Sequence, residues 1–129
     1  MASIPPPEMD RSARDAMAVL AHVYLRFDRP AEAAALLAAL LAIDPEPRWA
    51  RRALCLAQLR TEQPVAALAT AEALLADSLD DDERVPVLHL AAKAHWRLGN
   101  EGEARALRAA ARAAAAVSVD HPVAARRRA

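Results

Sequence analysis

Glycine and aromatic residues are scarce in this chain of 129 residues, which has two Gly, two Trp, one Tyr and one Phe. Strands favour β-branched and aromatic residues, whereas the 36 Ala and 17 Leu present here are strong helix formers. The shortage of glycine also excludes the glycine-rich phosphate-binding loops of dinucleotide-binding and P-loop folds. The composition therefore predicts an all-α protein and argues against a sheet-based enzyme.

Cysteine is limited to Cys55, which excludes an internal disulfide and a cysteine-based zinc site. Charge is balanced, since 17 basic residues offset 17 acidic ones, so no net field attracts nucleic acid or membranes. The first eight residues lack the basic and apolar regions of a secretory signal. The most apolar run, 31–43, contains Glu32 and is too short to cross a bilayer. We therefore expect a cytoplasmic protein with no nucleic-acid partner and no membrane insertion.

Polar residues that could serve catalysis are few, namely His22, His89, His95 and the acidic run 80–83. His89 and His95 are six residues apart and point to different faces of a helix, so they cannot form a chelating pair. The acidic run lacks the alternating spacing and the glycine of a calcium loop and is typical of a solvated helix start. We predict no catalytic residue, no cofactor and no metal site, and hence a protein that is not an enzyme.

Three short polar breaks, each leading into an Ala-rich segment, recur along the chain. Their final alanines, Ala33, Ala67 and Ala104, are separated by 34 and 37 residues, and the acidic run 80–83 accounts for the difference. A period of 34 residues is typical of tetratricopeptide repeats, each of which is a pair of helices. The spacing therefore predicts three helix hairpins.

Proline and acidic residues mark where the helices begin. Pro30 and Pro64 each open a helix, where the missing N–H is not needed, and Pro86 lies in the first turn of the fifth helix. The predicted helices span 11–26, 30–43, 48–60, 64–77, 83–98 and 101–117. We expect residues 1–10 and the basic segment 118–129 to be disordered, which leaves a helical domain over 11–117.

The breaks resemble a known turn. Residues 28–33, Asp-Arg-Pro-Ala-Glu-Ala, and 99–104, Gly-Asn-Glu-Gly-Glu-Ala, are similar to the Gly-Asp-x-x-Glu-Ala turn that joins helix A to helix B in tetratricopeptide repeats. Pro45 resembles the proline that ends such a repeat, and Leu20 and Tyr24 match the apolar positions of helix A. The resemblance implies three hairpins stacked into a short right-handed α-solenoid, with helix A of each hairpin lining a concave groove.

The same resemblance assigns residues to that groove. They are His22 and Leu25 in the first hairpin, Trp49, Arg52, Leu56 and Leu59 in the second, and His89, Lys93 and Trp96 in the third. It places three arginines at the groove edge: Arg26, Arg60 and Arg97. Tryptophan and arginine are enriched at interface hot spots, and an apolar floor with a basic rim suits an amphipathic or extended segment that carries acidic residues. The alternative is that Trp49 and Trp96 pack between the repeats.

The segment 36–46, Leu-Leu-Ala-Ala-Leu-Leu-Ala-Ile-Asp-Pro-Glu, with Arg51, Arg52 and 54–59, resembles the small YscY-type chaperones of bacterial type III secretion. This resemblance implies a cytoplasmic chaperone that binds and shields a small, YscX-like secreted export component, with the export-gate protein as a second partner. Needle-subunit chaperones, translocator chaperones and a generic tetratricopeptide interaction scaffold remain open as alternatives. Homodimerisation of the client-free protein through the same groove also remains open.

Overall fold

The computed structural model describes residues 10–120, which form six α-helices joined by short turns. The helices are α1 (Arg11–Arg26), α2 (Pro30–Ile43), α3 (Arg48–Arg60), α4 (Pro64–Leu75), α5 (Asp81–Arg97) and α6 (Glu101–Asp120). Each helix packs against the next one along the chain, and α3 also contacts α5. The predicted all-α class is confirmed, and each predicted helix is present with ends that shift by three residues or fewer.

Aspartate caps mark the starts of α1 and α5. The Asp10 carboxylate accepts a hydrogen bond from the Ala13 amide at 2.7 Å, and the Asp80 carboxylate accepts one from the Glu83 amide at 2.9 Å. Both satisfy N–H groups that have no partner within a helix. Because Asp80 is the cap, α5 begins at Asp81 rather than at residue 83, and Pro86 lies two residues deeper in the helix than predicted.

The turn inside each hairpin repeats one backbone geometry three times. Asp28, Glu62 and Gly99 occupy the same repeat position, with φ angles of 58°, 59° and 81°. In each turn the next amide donates to the carbonyl five residues earlier, from Arg29 to Tyr24 (2.8 Å), Gln63 to Gln58 (2.9 Å) and Asn100 to His95 (2.8 Å). A left-handed residue with this hydrogen bond is a common way to end a helix. The three breaks are therefore structurally equivalent.

Small residues let the two helices of each hairpin approach closely. Ala33, Ala67 and Ala104 follow the three turns and are fully buried. Apolar residues form one cluster around the first hairpin and α3, and a larger one from α3 to α6. Cys55 lies in the larger cluster with its Sγ 3.2 Å from the Ala67 carbonyl oxygen, and burial raises the pKa of its thiol to about 11. At neutral pH this thiol is a protonated core group.

The ends of the domain differ slightly from expectation. Helix α6 continues through Asp120, three residues beyond its predicted end. The segments expected to be disordered fall mainly on residues 1–9 and 121–129, which lie outside the described residues. Within residues 10–120, no helix is both long and apolar enough to cross a membrane.

Replacing Gly99 by alanine is expected to lower the free energy of unfolding by about 1 kcal/mol, because a Cβ is strained at positive φ. The new Cβ would meet no atom within 4 Å, so the effect is purely conformational. Gly102→Ala is the matched control, since its Cβ is equally unobstructed but lies in the first turn of α6. This control is expected to raise the free energy of unfolding by up to about 1 kcal/mol. Urea unfolding followed by circular dichroism measures both, and equal shifts of the same sign would refute the left-handed turn.

Candidate partner-binding groove

A pocket of about 660 Å³, here called the groove, opens between α1, α3 and α5. Its lining residues are His22 and Leu25 from α1, Trp49, Arg52, Ala53 and Leu56 from α3, and Pro86, His89, Leu90 and Lys93 from α5. Each of these helices is the first helix of its hairpin, as the tetratricopeptide resemblance implies for groove-lining helices. Seven of the nine residues predicted for the groove therefore line one pocket.

The charged groups of the groove have one sign. Its apolar lining consists of aliphatic, proline and tryptophan side chains, and the ionisable residues among its lining are Arg52, Lys93 and two histidines. Carboxylates are absent from the lining, and within residues 10–120 neither Arg52 nor Lys93 forms an ion pair. The groove therefore combines apolar lining residues with positive charge that the described residues do not neutralise, although the net charge of the chain is zero.

Two stacked rings join α1 to α3 in the groove. The imidazole of His22 and the indole of Trp49 have ring centroids 5.7 Å apart and planes inclined by 30°. Trp49 nevertheless remains exposed. Its indole thus packs against His22 and still has surface available to a ligand. From the sequence, packing and groove lining are alternatives for Trp49, and the structure shows both.

The other two predicted groove residues lie elsewhere. Leu59 is only 3% exposed and belongs to the larger apolar cluster, so its assignment to the groove is corrected. Residues three apart on a helix differ by about 60° in direction, which turns Leu59 away from Leu56 and into the core. Trp96 is 48% exposed but lies outside the lining, with the Arg108 guanidinium of α6 5.4 Å from its ring centroid. This cation–π contact ties Trp96 to α6.

Three lining residues, Ala53, Pro86 and Leu90, escaped the sequence analysis. Ala53 and Leu90 occupy the same repeat position, so a comparison between the second and third hairpins could have identified them together. Pro86 precedes His89 by three residues on the groove side of α5. From the sequence, Pro86 is interpreted only as a helix-start signal and is therefore not considered as a groove residue.

Two of the arginines predicted at the groove edge connect consecutive hairpins. Nη1 of Arg60 donates to the Leu25 carbonyl, and Nη1 of Arg97 donates to the Leu59 carbonyl, both at 2.8 Å. Each carbonyl lies at the C-terminal end of the first helix of the preceding hairpin, where helical partners are missing. Arg26 occupies the same position in the first hairpin, and within residues 10–120 no hairpin precedes it.

Comparison with known proteins gives no family assignment. A scan against protein-family models matches none of them, and a search of curated proteins finds no match. Among residues 10–120, no group of three or more His, Cys, Asp or Glu side chains is placed to hold a metal ion. The interpretation of function therefore rests on the geometry of the groove and on the repeat residues themselves.

Substitution of Arg60 by alanine is expected to lower the free energy of unfolding by about 1 kcal/mol, because the Leu25 carbonyl loses a charged donor. Arg26→Ala removes the same side chain from the same repeat position, where residues 10–120 offer no acceptor, and is expected to change the free energy of unfolding by less than about 0.5 kcal/mol. Urea unfolding of dilute protein measures both values. Equal losses in the two variants would show that Arg60 does not hold the hairpins together.

Proposed function

We propose that the protein is a chaperone that holds an apolar, acidic segment of a partner protein in the groove. The observation that carries this proposal is the lining itself, apolar side chains between α1, α3 and α5 together with Arg52 and Lys93, which form no ion pair within residues 10–120. Carboxylates of a bound segment would pair with these cations, and large apolar side chains would pack against Trp49 and Leu56. Rows of apolar anchors beside complementary charge are typical of helix-in-groove and extended-peptide recognition.

The size of the groove suits several side chains at once. Its volume of about 660 Å³ lies within the range of sites that enclose a drug-sized ligand, about 300–1,000 Å³. Burying one large aliphatic side chain contributes about 1.5–3 kcal/mol. Ordering a flexible segment on binding costs about 2–5 kcal/mol, so two or three such anchors together with the charge pairs can offset this cost.

The partner that we propose is a small secreted component of a type III secretion system, bound in the bacterial cytoplasm before export. This part of the proposal comes from the resemblance to YscY-type chaperones, which is carried by residues 36–46, Arg51, Arg52 and 54–59. The equivalent turns at Asp28, Glu62 and Gly99 support the tetratricopeptide solenoid on which the resemblance depends. Shielding is the expected consequence, because apolar residues of the partner in the groove would be hidden from solvent.

Co-expression tests the partner directly. The chain is expressed with each small protein encoded beside it, and the products are analysed by size exclusion with light scattering. We expect one otherwise insoluble small protein to elute as a stable complex. A needle subunit or a translocator as the captured protein would favour the sister chaperone classes, and a chain that captures none of these proteins would favour the generic scaffold.

The two tryptophans provide a matched pair for locating the bound segment. Trp49→Ala is expected to weaken binding of the co-purified partner by about 1–3 kcal/mol, the usual range for a hot-spot residue. Trp96→Ala, which removes an even more exposed indole outside the groove, is expected to have a much smaller effect. Titration calorimetry measures both affinities, and circular dichroism confirms that helicity is retained. A larger loss for Trp96→Ala would place the partner outside the groove.

A further inference from the structure

An apolar stripe runs along the outer face of α1. It consists of Val19, Leu20, Val23 and Phe27, which are 63%, 41%, 41% and 70% exposed. At about 100° per residue these side chains fall on one side of the helix, and Ser12 and Ala16 continue the stripe toward the N-terminus without a charge. Contiguous apolar surface of this kind on a soluble domain indicates an interaction site. We call these four large side chains the α1 stripe.

In the later hairpins, the repeat position of Val23 is covered by a preceding helix. Ala57 and Ala94, the repeat equivalents of Val23, are fully buried, and α3 packs on α2 just as α5 packs on α4. Within residues 10–120, no helix precedes α1. The end of a repeat stack needs a polar face or a covering element, and α1 presents large apolar residues instead. The α1 stripe therefore has the character of a stacking surface.

Two charged residues, Asp15 and Arg26, lie beside the α1 stripe. Arg26 is the repeat equivalent of Arg60 and Arg97, whose guanidinium groups donate to the preceding hairpin, but within residues 10–120 the guanidinium of Arg26 forms no hydrogen bond or ion pair. Asp15 likewise forms no ion pair there. Helical geometry places both residues along the same flank of the stripe, one toward each end of α1. The flank thus carries opposite charges at its two ends.

We propose that the α1 stripe pairs with the same stripe of a second copy of this chain, with the two α1 helices antiparallel. If the two-fold axis that relates the two helices passes between Leu20 and Val23, Phe27 of one copy lies opposite the small Ala16 of the second copy. This arrangement also brings Arg26 beside Asp15 of the second copy, which gives two symmetry-related ion pairs. A parallel pairing would instead set Phe27 against Phe27 and would put the charged flanks of the two copies on opposite sides of the interface, where Arg26 and Asp15 could not pair.

The dimer and the groove use different sides of α1. Leu25 and His22 line the groove, and helical geometry directs them away from the α1 stripe. A dimer through the stripe therefore leaves the groove open and persists when a partner is bound. Association through the groove, which the sequence left open, would instead compete with the partner.

Light scattering of the full chain over a dilution series tests the interface. We expect the wild-type mass to rise to twice the 13.9 kDa of one chain, and V19E/V23E to remain at the mass of one chain with unchanged helicity. The control is Val65→Glu, which places the same charge at an exposed valine on α4 and should leave the dimer intact. A wild-type chain that stays monomeric, or a V19E/V23E variant that still dimerises, would overturn the proposal.

Charge exchange tests the antiparallel orientation. Asp15→Arg and Arg26→Asp are each expected to raise the dimer dissociation constant by about tenfold or more, because each variant opposes like charges. The double variant D15R/R26D should restore the wild-type value, and no recovery would contradict the orientation. Leu56→Glu separates this inference from the groove, because it should impair partner binding and leave the dimer mass unchanged. A monomeric Leu56→Glu variant would identify the groove as the dimer interface and overturn the proposal.

Discussion

The close approach of the two helices within each hairpin is the constraint on which the rest of the structure depends. A left-handed residue ends the first helix, and five residues later a fully buried alanine, Ala33, Ala67 or Ala104, lets the second helix pack tightly against it. Because this unit occurs three times, the first helices α1, α3 and α5 lie on a common side and enclose the groove. A larger residue at any of these alanines would separate the helices and distort the groove, since packed interiors tolerate little added volume.

The distribution of charge, rather than its total, distinguishes the groove. Several carboxylates are paired away from it, as in Asp77 with Arg51 at 2.6 Å and Glu62 with Arg97 at 2.8 Å. Ion pairs near the surface contribute only about 0–1 kcal/mol each, so their energetic role in folding is modest. Among residues 10–120, their placement leaves Arg52 and Lys93 in the groove without an ion-pair partner. A chain with no net charge thus presents one locally positive, apolar cavity to an acidic segment.

The sequence predicted the helices well because its signals are local. The prolines, the acidic caps and the 34-residue period are enough to predict the hairpins. The left-handed turns at Asp28 and Glu62 could not be predicted, because neither position has the glycine that usually indicates a positive φ. The residues of the groove were predictable to the extent that the repeat position of a residue determines the direction of its side chain. Leu59 was misplaced because the packing of α3 against α4 decides which face of α3 is buried, and local spacing does not contain that information. Trp96 was wrongly assigned to the groove for a similar reason, since the residue it contacts, Arg108, comes from the following helix.

Site-specific photo-crosslinking within the co-purified complex tests most directly whether the groove is the binding site. A photoreactive residue replaces Lys93 in the groove or, as the control, exposed Val65 on α4, and mass spectrometry maps the linked residues of the partner. The account predicts efficient crosslinking from position 93 to a segment that contains both carboxylates and large apolar residues, and little from position 65. Crosslinking from position 65 alone, or from position 93 to a basic, polar segment, would contradict it.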